Sequence, residues 1–139
     1  MNDDTDRMTR TLIAALAEVE RAAPGLSLSQ LTMFLHILRR EGVQMTALTP
    51  LCGRNDAAVS RGVRAMATRG EAGTLEPAYG LVELLRGADA RSRHLAPTGA
   101  GLALAGQLSR LLSGGGEWRG AVKAGAVTGA GAACADGQD

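Results

Sequence analysis

Between residues 44 and 70 the chain sets two short apolar periodicities on either side of one glycine, and few folds accommodate that arrangement. Met45, Leu48, Leu51 and Cys52 recur at the spacing of a short helix, and Gly53 can supply the left-handed residue that closes it. Asn55 or Asp56 can then cap a longer helix whose Val59, Val63 and Met66 share one side. Two helices joined by a tight turn containing Gly predict a helix-turn-helix. Opposite its apolar side the second helix carries Asp56, Ala57, Ser60, Arg61 and Arg64. A small residue permits close approach, short polar groups reach bases or phosphates, and a guanidinium fork matches the guanine edge in a major groove. From this segment alone, a solvated helix face with chance arginines reads equally well.

The next segment changes the balance. Residues 80–86 form a short apolar run, Gly87-Ala-Asp-Ala90 a turn, and residues 91–95 a second extended run with its basic groups near the start. Together they predict a β-hairpin with Arg86, Arg91, Ser92 and Arg93 at or near its tip, where Asp89 can brace the turn through Arg91. A helix-turn-helix followed by such a hairpin is a winged helix: the second helix enters the major groove and the charged hairpin flanks the duplex.

Helices are expected on both sides of this motif. Met8, Leu12, Ala15, Leu16 and Val19 mark an amphipathic helix over residues 5–23, ended by Pro24-Gly25. A second helix starts at Ser27, its N-cap, and carries Leu31, Phe34, Leu35 and Leu38 as its apolar stripe before Arg39-Arg40 and Gly42. Thr98 caps a last helix over residues 99–112, with Leu104, Leu108, Leu111 and Leu112 on one face. Its Gly99, Gly101 and Gly106 cost about 1 kcal/mol each where interior, so packing against a partner must hold it. A small winged-helix core does not need both flanking stripes. Mutual burial in a homodimer, through Leu12, Leu16, Leu104, Leu108 and Leu111, is the economical solution. The expected organisation is a dimerisation helix at 1–26, a winged helix at 27–97, a second dimerisation helix at 98–112 and a flexible tail at 113–139. That tail holds eight Gly and seven Ala without a sustained period.

Composition narrows the function classes. Of the 139 residues 45% are apolar but only 2% aromatic, so one small core must be built from aliphatic side chains. Residues 27–112 hold ten Arg against six acids, net +4, between slightly acidic ends, as a nucleic-acid reader needs. No run of about 18 apolar residues occurs, and the acidic start lacks the charge pattern of a signal peptide, so a cytoplasmic protein is expected, without a membrane partner. Cys52 and Cys134 cannot make a disulfide framework, and with His36 and His94 they offer no metal-ligand spacing. Neither do these groups form a nucleophile–base pair. The chain is expected to be no enzyme and to need no cofactor.

The residues resemble the multiple-antibiotic-resistance regulator (MarR) family of winged-helix transcription factors over about residues 26–112. The most specific stretch is Asp89-Ala-Arg-Ser-Arg-His-Leu-Ala-Pro-Thr-Gly-Ala-Gly-Leu-Ala-Leu104, similar to the family's D-x-R-S-R…L-T-x-x-G wing and following helix. Val59-Ser60-Arg61 and Val63 resemble its recognition helix, and Gly80-Leu-Val-Glu83 its first wing strand. The resemblance implies a mainly α fold with a small β-hairpin wing and flanking dimerisation helices. It implies a homodimeric regulator, a repressor, on a palindromic duplex DNA site, with a small-molecule effector as a further partner. By that likeness Ser60, Arg61 and Arg64 face the major groove, with Arg91 and Arg93 in or near a minor groove. The chain departs from the family pattern at Arg54, Pro50 and Pro97, and in an insertion at residues 71–79 between the recognition helix, expected to end at Gly70, and the wing. The competing reading is a winged-helix protein-interaction module, of phage or mobile-element type, that does not read DNA.

Overall fold

The computed structural model describes residues 2–87 and 92–114. Ala88 to Arg91 and the tail from Gly115, with Trp118 and Cys134, lie outside the described residues, and with them the expectations for Asp89, Arg91 and the tail. The order is α1 (Asp3–Ala22), α2 (Leu28–Arg39), β1 (Val43–Gln44), α3 (Met45–Cys52), α4 (Asp56–Ala65), β2 (Val82–Arg86), β3 (Arg93–Pro97) and α5 (Gly99–Ser109), closed by a π-helical turn at Arg110–Gly114. The chain is therefore mainly helical with a three-stranded antiparallel sheet, as a winged helix requires. It divides into two compact units. One comprises residues 23–103, and the other residues 1–22 with the chain from Leu104 onward, so the division falls inside α5.

In the unit of residues 23–103, α2 starts at a capping box. Gln30 N–H donates to Ser27 Oγ and Ser27 N–H to Gln30 Oε1, both at 3.0 Å, which satisfies two donors that a helix start leaves open. The same Gln30 donates its Nε2 to the Gly62 carbonyl at 3.1 Å and so ties α2 to α4. The buried face of α2 is Met33, Phe34 and Ile37, whereas Leu35 is exposed and Leu31 and Leu38 are half-buried. The expected stripe is thus rotated about Phe34. Gly62 explains the direction: a Cβ there would lie 2.8 Å from Met33 Sδ, so the two helices approach too closely for any larger residue without displacing Met33. Leu48, Val59, Val63, Met66, Leu81, Val82 and Leu95 complete the core.

Gly53 ends α3 at φ +66, a conformation that glycine adopts without penalty. Pro50 lies within α3 and removes one backbone donor, yet the helix continues to Cys52. The Cys52 thiol is half-buried, and burial raises its pKa against the opposing pull of Arg54, as suits an inert side chain.

The helix expected to reach Gly70 stops at Ala65, and the insertion supplies the reason. Leu75 N–H donates to Arg64 O at 3.0 Å, Tyr79 N–H to Ala65 O at 2.9 Å, Leu81 N–H to Met66 O at 2.8 Å and Gly80 N–H to Ala67 O at 3.1 Å. Of the four carbonyls that open at the end of α4, those of Arg64 and Ala65 are thereby engaged by Leu75 and Tyr79 rather than by a further turn, while Gly62 O takes Gln30 Nε2 and Val63 O takes Met66 N–H. Three more bonds hold the insertion. Thr74 Oγ1 donates to Thr68 O at 2.7 Å, Arg69 pairs with Glu76, and Tyr79 Oη donates to Pro24 O at 2.7 Å.

The expected hairpin is present, with β2 paired to β3 from Val82↔Pro97 to Arg86↔Arg93, but β3 is the central strand. Its other edge takes β1, through Val43↔Leu95 and Gln44↔His94, and the His94 Nδ1 lies 3.0 Å from the Gly42 carbonyl. Thr98 follows β3 without a spacer. Its hydroxyl donates to Gly80 O at 2.7 Å and accepts Gly101 N–H at 3.0 Å, capping α5 as expected.

In the other unit, Asn2 caps α1 by accepting Thr5 N–H at 2.8 Å, and Asp3, Asp4 and Asp6 stand at the helix end where negative charge is favoured. Ala15, Val19, Leu104 and Leu108 are buried there, and α1 packs against the π-helical turn. Leu104 and Leu108, expected at the dimer surface, are thus buried within the single chain. Met8, Leu12, Ile13 and Leu16 remain exposed, and Leu111 is half-buried.

Candidate nucleic-acid interface

The helix-turn-helix sets α4 so that Val59, Val63 and Ala65 are buried and Ala57, Ser60, Arg61 and Arg64 point away from the core. Asn55, not Asp56, is its N-cap: the side chain accepts Ala58 N–H at 2.8 Å. Asp56 accepts the Thr49 hydroxyl at 2.6 Å and so links α3 to α4. Of the candidate residues, these two have structural work already. Ala57 and Arg61 are exposed, and Ser60 and Arg64 are half-buried. Arg64 Nε donates to the Gly73 carbonyl at 2.6 Å, so the insertion holds this guanidinium.

On the wing, Arg86 is exposed and faces Arg93 directly across the β2–β3 pair. Ser92 and Arg93 are half-buried at the start of the second strand. Two like charges opposite each other on a ladder repel. Among the described residues Arg7, Arg10, Arg21 and Arg69 each have a carboxylate partner, whereas Arg61, Arg64, Arg86 and Arg93 have none, nor have Arg39, Arg40, Arg54 and Arg110. Between α4 and the wing lies a cleft of about 470 Å³ whose walls include Ser60, Arg64, Gly73, Leu84, Ser92 and Arg93. Thr46 and Gln44 also border it. Residues expected from two separate segments of the sequence therefore meet at one cleft. Gly73 was not among them, because its contribution is a backbone oxygen that no side-chain pattern announces.

The fold has solved counterparts. Rv1404 from Mycobacterium tuberculosis superposes with a TM-score of 0.56 at 15% identity, covering 78% of this chain and 70% of that one. The chain has the fold of the MarR-type regulators. Two more structures with that fold are the M. tuberculosis transcriptional regulator MosR, solved in complex with DNA, and BpsR of Bordetella bronchiseptica. MosR gives a TM-score of 0.50 at 24% identity over 78% of this chain and 71% of that one. BpsR, whose DNA binding is regulated by 6-hydroxynicotinic acid, gives 0.50 at 15% identity over 75% and 74%. No family model and no curated protein matches the sequence, so the MarR-type likeness is one of fold. Among the described residues no helix is long and apolar enough to cross a membrane, and no cluster of three His, Cys, Asp or Glu could hold a metal ion.

Proposed function

We propose that the protein is a sequence-specific, double-stranded DNA-binding transcriptional regulator, a repressor that acts in the cytoplasm as a homodimer on a palindromic site. The observation that carries this reading is the set of arginines without carboxylate partners on α4 and the wing, above all the opposed Arg86 and Arg93. A strand pair that sets two arginines at opposed positions is disfavoured in isolation, and a polyanion lying across it offsets the repulsion. Ala57, Ser60, Arg61 and Arg64 then meet the major groove, and Arg86, Ser92 and Arg93, with Arg91 on sequence grounds, meet the flanking backbone. Asn55 and Asp56 act at the helix start, where their bonds set the approach of α4. MosR, of the same fold, binds DNA, and BpsR supplies a precedent for a small-molecule effector, which belongs to the same reading.

The exposed Leu12 and Leu16, with Leu111, form the surface for the second copy, while Leu104 and Leu108 support it from within. Selection of bound sequences from random duplex DNA tests the reading. An enriched site with two inverted half-sites is expected, and its affinity should fall with salt by about 0.9 log units per log unit of salt for each neutralised phosphate. Removing both Arg91 and Arg93 should weaken cognate and random duplexes together and flatten that slope. Absence of any salt-dependent duplex binding would instead favour the protein-interaction module.

A further inference from the structure

The insertion at residues 71–79 stands beside the one recognition-helix arginine that the rest of the chain holds in place. We propose that this loop is a specificity element: it fixes Arg64 before DNA arrives, through the Gly73 carbonyl, so that the guanidinium reads a base rather than a phosphate. The inference rests on the DNA-binding reading above.

Arg64 Nε donates to Gly73 O at 2.6 Å, while Leu75 N–H donates to the Arg64 carbonyl at 3.0 Å. Loop and residue therefore grip each other at both backbone and side chain. The loop has its own anchors, Thr74 Oγ1 on Thr68 O, the Arg69–Glu76 pair and Tyr79 Oη on Pro24 O, so the carbonyl it offers is a fixed point. With Nε occupied, Nη1 and Nη2 remain, and these two form the end-on fork that matches O6 and N7 of guanine. An unrestrained arginine loses considerable rotamer freedom on making that contact, and one held in advance loses less. Arg61, one turn earlier and exposed, has no such anchor among the described residues. Its chemistry suits the phosphate backbone, where position is less exacting. The two arginines thus divide the work: Arg64 discriminates and Arg61 adds affinity.

Gly73 sits at φ +90, and a Cβ added there would be 3.6 Å from Leu84 Cδ1 and 3.7 Å from Arg64 Nε. Contact there is ordinary, but the backbone conformation is one that L side chains rarely adopt, so Gly73→Ala strains the segment that presents the carbonyl.

The test is a double-mutant cycle on the full chain with Gly73→Ala, Arg64→Ala and the pair, measuring Kd on the selected duplex and on a random duplex. Gly73→Ala should weaken the selected duplex by about two- to tenfold, the range expected for releasing one side chain, and leave the random duplex unchanged. In the Arg64→Ala background Gly73→Ala should have no further effect on either. An equal loss in both backgrounds, or on both duplexes, overturns the proposal. If circular dichroism shows that Gly73→Ala does not fold, Thr74→Val, which cuts the loop's hydroxyl bond to Thr68, takes its place in the same cycle with the same expectation. A wild-type chain that binds no duplex would remove the DNA-binding reading and this one with it. A wild-type chain that binds, with no coupling between positions 64 and 73, overturns the loop's role alone.

Discussion

Gly101 occupies a position in the first turn of α5 where helix propensity and packing make opposite demands, and the structure says which wins. A Cβ built there would stand 2.3 Å from the Leu81 carbonyl oxygen and 3.2 Å from Phe34 Cε1. The first distance is far inside contact, and the atom met is backbone. Leu81 cannot easily retreat, since its N–H is bonded to Met66 O at 2.8 Å and its carbonyl accepts Thr98 N–H at 3.0 Å. Overpacking of this kind costs about 1–3 kcal/mol and occasionally more, whereas alanine gains at most about 1 kcal/mol over glycine, less in a first turn than mid-helix. Gly101→Ala should therefore destabilise the fold by about 1–2 kcal/mol net. Gly106 provides the internal contrast. It lies deeper in the same helix with only Arg110 Nη1, at 3.9 Å, near its would-be Cβ, so Gly106→Ala should stabilise by about 0.5–1 kcal/mol. Urea titrations followed by far-UV circular dichroism measure both, read as shifts of the midpoint at constant slope. If Gly101→Ala proved as stabilising as Gly106→Ala, the close approach of α5 to Leu81 would be refuted.

Three further outcomes are expected. Ser27→Ala, which removes one half of the α2 capping box, should cost about 0.5–2 kcal/mol in the same titration, and an unchanged midpoint would deny the cap any role. Leu12→Asp with Leu16→Asp should convert a dimer to a monomer by light scattering at tens of micromolar while preserving the far-UV spectrum; a wild-type chain already monomeric there would exclude the α1 surface as an interface. Hydrogen bonding from Arg69, aided by its charge, lowers the Glu76 pKa below the ordinary carboxylate value. A carboxylate with a depressed folded-state pKa contributes stability above its unfolded value and loses it as the pH falls through the folded one. The NMR titration midpoint of Glu76 should accordingly lie below the usual range and return to it in Arg69→Gln, and a midpoint indifferent to that change would remove the pair.

What the sequence revealed and what it hid follow from where the information resides. Helix boundaries at Ser27, Gly53 and Thr98 were legible because each is marked by a side chain or a glycine with a local job. The buried face of α2 was not, since two overlapping sets at helical spacing share Phe34: Leu31, Leu35 and Leu38 on one side, Met33 and Ile37 on the other. Choosing between them takes the docking of Gly62 on Met33, a contact between helices that periodicity in one helix does not contain. β1 has two residues and thus no alternation to read. The early end of α4 depends on donors ten or more residues downstream, and its apolar pattern runs on to Met66 and Ala67, which are buried without being part of the helix. The basic character of the site was visible residue by residue. The hold of Gly73 on Arg64, and the prior engagement of Asn55 and Asp56, appear only when hydrogen bonds are traced.

Thr98 and Gly101 together make the strand-to-helix junction a keyed joint. A residue inserted between Thr98 and Gly101 would turn the helix that follows by about 100° against the strand that precedes it. It would also bring a methyl-bearing residue, Ala100, to the spot beside Leu81 that only a hydrogen can fill. Length change is therefore costly at this junction, where the phase of one element is cut into the next. Swapping wings between proteins of this fold would succeed only with cuts that leave residues 97–101 as a single piece.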